Sequence, residues 1–449
     1  MNTPDPAQIG PLQQRALRAL ALALQSAIVS MILFFWLAGI FLPLRERFFP
    51  LLGFGSLEGA TAYIWGASLG SLLIAVAVFL ASWRLQARSW LRIALGYLVL
   101  VGVLAYLAHD EPTFRHPMTM EEISPVFPGA EDSYNVLMRY GKQHPLGQSF
   151  IEPSFKGAYN DRDPGRPDPW RKAITARRPE FEAHWAALAG ERAWWAELNA
   201  FDRMGDLMPA RVDAEIVSFG VFRAISQNGI AIASLQALDG RGDEAIDTLL
   251  PILEVGRNMQ PYSRSLVRQM IGIVIEKLSI KTANFILDNA TVSPAARARL
   301  AAALQGGGGD AGARHIFLTE YAVKYGWMSR SRVGDILGQI DSVNQINSLN
   351  PWIRRGLNVV SPFIYNPRET FNQVGDLYAE CQDLAASRNI EKIDEKEKDF
   401  VSERSRPAIK NIYGRWIGCW IIPAYQKVTE NYWTTQDMRA ALIARLAKQ

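Results

Sequence analysis

Three apolar runs occupy the first quarter of the chain, and amphipathic helical periodicity fills most of the rest. The first run, Leu20 to Leu42 ("LALALQSAIVSMILFFWLAGIFL"), is 23 residues without a charge. As a helix rising 1.5 Å per residue it crosses a hydrocarbon core about 30 Å thick. Pro43-Leu44-Arg45 follows it in place of a small-x-small cleavage pattern, so it reads as a span and not as a signal peptide. The second run covers 61–82. The third, about 91–108, reaches spanning length only when Leu91 and Arg92 are included, with the arginine snorkelling to the interface. A buried core helix is the alternative for this last run.

Basic residues in the short flanks predict orientation. Arg15, Arg18, Arg84, Arg88 and Arg92 lie on one side; Arg45, Arg47 and Arg115 lie on the other. The majority side is expected to be cytoplasmic. That places 1–19 in the cytoplasm and everything after 108 outside it.

Residues 109–168 are rich in proline, glycine and aromatics and read as a connector holding one short helix, 130–143, capped by Asp132 or Ser133. From about Pro169 the pattern is helical, with no convincing alternating strand. The stretch 212–238 predicts one long helix, and Asp239-Gly240-Arg241-Gly242 a turn with glycine in the left-handed cap conformation. Asp243 is positioned to cap the next helix. There Ile246, Leu249, Leu250 and Leu253 form a single buried stripe that Pro251 should bend or break. A third helix is expected from Pro261 to Asn289. Gly306 to Gly309 form a glycine-rich joint, 348–367 a turn-rich apolar segment, 369–400 a helix followed by a charge run, and Ile412 to Ile422 a buried helix or one lying against the membrane.

The turn and helix "GRGDEAIDTLLPIL" resemble the middle of a tetratricopeptide-like repeat. Ala245 lies three positions after Gly242 where that repeat has five, and no 34-residue period recurs. The resemblance implies an antiparallel helix pair of solenoid type. Together with "GRWIGCWIIPAYQKVTENYWTTQDMRAALIARLA" near the C-terminus, the hairpin is similar to a group of uncharacterised bacterial membrane-anchored helical proteins. That resemblance implies an architecture and carries no activity. The predicted fold is therefore all-α: an N-terminal three-helix transmembrane bundle, then a large α-helical, solenoid-like soluble domain over 169–449.

Composition narrows the function. A net charge of +4 over 449 residues, without a basic block, argues against nucleic-acid binding. Two cysteines, Cys381 and Cys419, make no CxxC; they could pair outside the cytoplasm or stay as buried thiols. "GASLG" (66–70) fits a nucleophile pattern but falls inside the second run, where no histidine is available as base, and "GFGSLEG" (53–59) lacks the strand and lysine of a phosphate loop. His109, Asp110, Glu111 and His116 could ligate a metal, and Asp376, Glu380 and Asp383 share one helix face; both groups are explained more simply as solvated polar residues. No catalytic, cofactor or metal site is predicted.

Arg223, Asn228, Arg257, Arg264 and Arg268 lie on or beside the hairpin and are the polar groups expected to meet a partner if the helices form a groove. The reading that follows is a multi-pass protein of the bacterial inner membrane, embedded by its three spans. Its extracytoplasmic helical domain would act as a scaffold or binding module for envelope proteins. The alternatives are an extracytoplasmic hydrolase using isolated carboxylates such as Glu320 or Glu380, and an accessory subunit of an export or transport complex.

Overall fold

The computed structural model describes residues 102–143, 163–210, 220–306, 308–343, 351–406, 410–420 and 425–448, with isolated residues between them. The described residues contain helices and no strand, so the chain is all-α. The first two apolar runs fall outside the described residues but for 20, 21 and 23, and of the third only 99–100 and 102–108 are described. Among the described residues no helix is long and apolar enough to cross a membrane.

In chain order the helices are α1 (Met120–Ile123), α2 (Ala130–Gln143), α3 (Pro167–Ala176), α4 (Arg178–Ala187), α5 (Ala189–Asn199), α6 (Gly220–Leu238), α7 (Gly242–Asn258), α8 (Leu266–Asn289) and α9 (Pro294–Leu304). They continue with α10 (Gly309–Met328), α11 (Val333–Val343), α12 (Pro351–Ile364), α13 (Pro367–Ala386), α14 (Ile390–Arg404), α15 (Ile412–Trp420) and α16 (Tyr425–Ala447). Two compact units interleave along the chain. One comprises Met1–His116, Met328–Val374 and Asp399–Ile421; the other comprises Pro117–Trp327, Gly375–Lys398 and Ile422–Gln449.

The second unit is built on α6, α7 and α8, each touching the other two. The turn between α6 and α7 has the expected form: Gly240 takes φ +77°, and the Arg241 N–H donates to Gln236 O at 2.9 Å, closing a Schellman motif. Asp243 is not the cap, because α7 already begins at Gly242. Its carboxylate instead accepts the Ser293 N–H at 2.7 Å. Gly242 must lack a side chain there, since a Cβ would lie 2.3 Å from Thr291 O. Asp239 is gripped by both guanidinium nitrogens of Arg178, which hold its carboxyl down at about 2.

Other boundaries shift for identifiable reasons. Ala214 is not helical, so α6 is shorter than 212–238. α7 runs through Pro251 unbroken. α8 starts at Leu266 and not at Pro261, because Ser263–Ser265 are buried in non-helical backbone, where the Arg264 N–H donates to Asp206. Asp132 and Ser133 fall inside the first turn of α2, and Thr119, in the expected connector, heads a capping box with Glu122. The 348–367 segment is mostly a helix, α12.

Glycines set the closest helix approach. A Cβ on Gly272 of α8 would lie 2.7 Å from Gly256 O of α7, so the two backbones nearly touch. Helices α3, α4, α6, α7, α8, α9 and α16 bury one apolar core around Trp170, Leu249 and Ile280, and α2, α5, α6, α7 and α8 bury a second around Trp195, Phe222 and Ile252. The N-terminus of α16 meets Glu397, whose Oε1 accepts the Tyr425 N–H at 3.3 Å. Burial raises the Glu397 carboxyl to about 7, outweighing that hydrogen bond.

In the first unit α11 and α12 pair, burying Val333, Ile336, Leu357 and Val360. The helix of 102–108 ends in His109-Asp110-Glu111, and these residues are knotted to the start of α13. Asn366 donates to His109 O at 2.9 Å, and Asp110 accepts the N–H groups of Arg368 and Glu369 at 3.0 and 2.8 Å. Asp110 is thus the cap of α13. Ile412, Tyr413 and Ile417 of α15 are buried.

Two outcomes test this packing. Replacing Gly272 by alanine improves helix propensity by about 1 kcal/mol, yet the overlap with Gly256 O should dominate and destabilise the protein by about 1–3 kcal/mol in thermal or denaturant melts. At Glu397 the folded protein binds a proton that the unfolded chain releases above about 4.5, so stability should fall as pH rises from 4.5 to about 7. Glu397→Gln should flatten that slope in denaturant titrations; an unchanged slope would assign it to other groups.

Candidate functional site

A cleft of about 680 Å³ opens among α4, α5, α6 and α7 of the second unit. Its volume falls within the roughly 300–1,000 Å³ of small-ligand or side-chain sites. One wall is aromatic. Trp185 of α4 stands at the opening with the Arg192 guanidinium 4.9 Å from its ring centroid, and Trp195 of α5 stands deeper. Gly229 of α6 makes room for this wall, because a Cβ there would come within 3.0 Å of Trp185 and 2.3 Å of Ile252.

The opposite wall is α7, and Pro251 shapes it. Proline has no N–H, so the helix leaves the carbonyl one turn back, that of Asp247, without its usual donor. The Pro251 carbonyl itself is drawn toward α5: it accepts the Trp195 indole N–H at 2.9 Å and the Asn199 amide N–H at 3.0 Å. With its nitrogen committed, the Asn199 side chain turns its oxygen the other way. Asn199 Oδ1 is buried and has no hydrogen-bond partner among the described residues, and Gln236 Oε1 is in the same state. Two acceptors therefore line one cleft.

Acids complete it. Glu244 is paired with Arg241 at 2.7 Å and Asp247 with Arg299 at 2.5 Å. Glu254 is half-buried, and burial raises its carboxyl above the usual range against the opposing pull of Arg257. Aromatic faces, free acceptors and carboxylates together favour a ligand that is cationic and rich in N–H donors.

The cleft is held in place by a buried polar knot where α5 leads into Phe201–Ala210. This segment is irregular yet partly buried, so its backbone groups need partners. Arg268, 1% exposed, supplies them: its guanidinium donates to Gly205 O at 2.7 Å and Met204 O at 2.9 Å and pairs with Asp206 at 3.3 Å. Asp206 also accepts the N–H groups of Arg264 at 2.8 Å and Met208 at 3.1 Å. Arg264 reaches on to Ser124 O at 2.9 Å. The Gly205 N–H goes to Ser133 Oγ at 2.9 Å, and a Cβ on Gly205 would lie 2.4 Å from Ala130 O.

None of the five residues expected to face a partner lines the cleft. Arg264 and Arg268 meet at Asp206 inside the fold. Asn228 is buried in α6, Arg223 is exposed on the same helix, and Arg257 donates to Gln305 O and Gly306 O at the turn after α9. The cleft residues Trp185, Trp195, Asn199 and Glu254 were not singled out in the sequence. The adjacent Trp194-Trp195 pair and a proline in mid-helix were the available signals.

The remaining candidates are committed elsewhere. Glu320 pairs with Lys324 at 2.9 Å, Glu380 with Lys396 at 2.7 Å, and Asp383 with Arg314. Glu111 bonds Asn372, and no group of three or more His, Cys, Asp or Glu able to hold a metal occurs among the described residues. Cys381 and Cys419 are both free thiols. "GASLG" and "GFGSLEG" lie outside the described residues. Comparison with protein-family models, curated proteins and solved structures found no match for this chain.

The knot makes a direct prediction. Arg268→Leu strands the Asp206 carboxylate and two buried carbonyls, and should cost about 3–5 kcal/mol in denaturant melts. Adding Asp206→Leu should recover part of that loss by removing the stranded charge. A loss under about 1 kcal/mol for the single variant would mean that the pair does not organise the loop.

Proposed function

We propose that the protein is a membrane-anchored helical binding module whose partner inserts a basic segment into the α4–α7 cleft. The anchor is the set of three apolar runs at 20–42, 61–82 and 91–108, and the bilayer is the bacterial inner membrane. The basic flanks favour a helical region outside the cytoplasm, where its partner is an envelope protein.

One observation carries the binding reading: two residues that line the cleft, Asn199 and Gln236, have side-chain oxygens without a hydrogen-bond partner among the described residues. Asn199 Oδ1 is oriented by the bond its own amide makes to Pro251 O, so it cannot turn its nitrogen to the ligand without breaking that bond. A lysine or arginine side chain entering between Trp185 and Glu254 would supply the missing donors and stack on an indole face.

Glu254 favours a second reading. A half-buried carboxyl with raised affinity for its proton, set in a cleft, has the character of a general acid. A hydrolase of this type would lose turnover of an envelope substrate in Glu254→Gln with folding intact.

The test places a photocrosslinking amino acid at Ala196, exposed on the cleft side of α5, in the full chain in its native membrane. A discrete adduct is expected, and Glu254→Lys should abolish it by setting like charge against the partner. The same probe at Val126, exposed and away from the cleft, should give none. Identical patterns at both positions would sink the binding reading. A C-terminal alkaline phosphatase fusion tests the orientation separately: it should be active, whereas an inactive fusion would put the cleft in the cytoplasm.

A further inference from the structure

α12 is apolar on two faces, and the described residues cover one of them. Leu357, Val360 and Ile364 are buried in the first unit, at 8%, 1% and 1% exposure. On the other side Trp352 is 75% exposed and Val359 70%. With Arg355 between them, these residues fall at i, i+3 and i+7, one stripe along a helix about 21 Å long. The Arg355 guanidinium lies 5.1 Å from the Trp352 ring centroid. A helix apolar on both sides is ordinarily covered on both.

We infer that the Trp352–Val359 face of α12 lies in the interface of an anionic bilayer. The inference rests on the anchored reading above, and three observations single out lipid as the cover. The first is position. Two residues beyond α12, Asn366 donates to His109 O at 2.9 Å, and Asp110 caps the helix that follows. His109 and Asp110 are the first polar residues after the third apolar run, so the C-terminal end of α12 is tied to the point where that run would leave the bilayer. The second is charge. Arg354 and Arg355 are exposed on α12, and Arg330 and Arg332 are exposed ahead of α11, its partner in the hairpin. Among the described residues, Arg354 alone of these four forms an ion pair, with Asp335 at 2.8 Å. Phosphate headgroups complement such a rim. The third is residue type. A tryptophan beside an arginine, with valine a turn further on, suits the boundary where an indole sits among headgroups and an arginine keeps its charge in water. The end of the third run shows the same kind of exposure, with Val103 46% and Tyr106 61% exposed.

The full chain, with Cys419→Ser to remove the half-exposed thiol, is reconstituted into phosphatidylcholine–phosphatidylglycerol vesicles and recovered by flotation. A nitroxide is attached at Val359→Cys or, as reference, at Val126→Cys, both exposed positions whose labelling leaves the core untouched. Cys381 is buried with its thiol pushed up to about 12, and stays unlabelled at neutral pH. Collision rates with oxygen and with a water-soluble nickel chelate are compared by electron paramagnetic resonance. At 359 oxygen should dominate, and at 126 nickel, so that the depth parameter changes sign between the two sites. Floating protein with nickel dominant at both sites overturns the inference and leaves the anchor standing. Spin–spin broadening at 359 would mean that a second copy of the chain covers the face, and also overturns it. Protein that fails to float removes the anchored reading, and the inference falls with it.

Discussion

The Arg268–Asp206 pair is the interaction on which the second unit depends. A helical protein is easily satisfied along the interior of its helices, because there each backbone group finds a partner within the same segment. The difficulty lies in two irregular stretches, Phe201–Ala210 and Tyr262–Ser265, which run partly buried between helices. Arg268 answers it with one side chain that neutralises Asp206 and saturates two carbonyls of the first stretch, while Asp206 takes an N–H of the second. His315 and Thr319 then close on Ser263 O at 2.9 and 3.2 Å. A buried charge pair is expensive to desolvate, and here its cost is offset by backbone groups that would otherwise be stranded.

The same logic shapes the cleft. Gly256 and Gly272 let α7 and α8 touch, and the Pro251 carbonyl accepts hydrogen bonds from Trp195 and Asn199. α5 is thereby pinned to α7 by two hydrogen bonds at its centre and, through the loop after it, to α8 by the knot. The walls of the cleft are rigid because their polar groups are spent on one another. What remains without a partner among the described residues, the side-chain oxygens of Asn199 and Gln236, belongs to residues that line the cleft, as does the carboxyl of Glu254.

The proposed membrane attachment and the proposed partner binding fall to different parts of this chain. The apolar runs and α12 belong to one unit, whose exposed apolar residues include Val99, Val103, Tyr106, Trp352 and Val359; the cleft belongs wholly to the other. The proposed anchoring therefore draws on none of the residues that would hold the partner, and substitutions in either function leave the other open to measurement.

Much of the architecture was legible in the residues alone. Helical periodicity placed α7, α8 and α13 within a few positions, and the glycine turn after α6 took its expected form, because caps and amphipathic stripes are local properties of a chain. The apolar runs and the charges that flank them are likewise written in the sequence. The cleft was not. Arg264 and Arg268 looked like surface cations on a helix, and only packing revealed that a loop some sixty residues earlier needs their hydrogen bonds. Asn199 and Glu254 carry no distinguishing neighbours; one becomes a free acceptor and the other a raised acid through burial against helices distant in sequence. Asp110 read as part of a metal-like cluster until Arg368 and Glu369 arrived to use it as a cap. Local order follows from spacing along the chain, whereas which polar groups are satisfied and which are left open is decided by long-range contacts that no single stretch encodes.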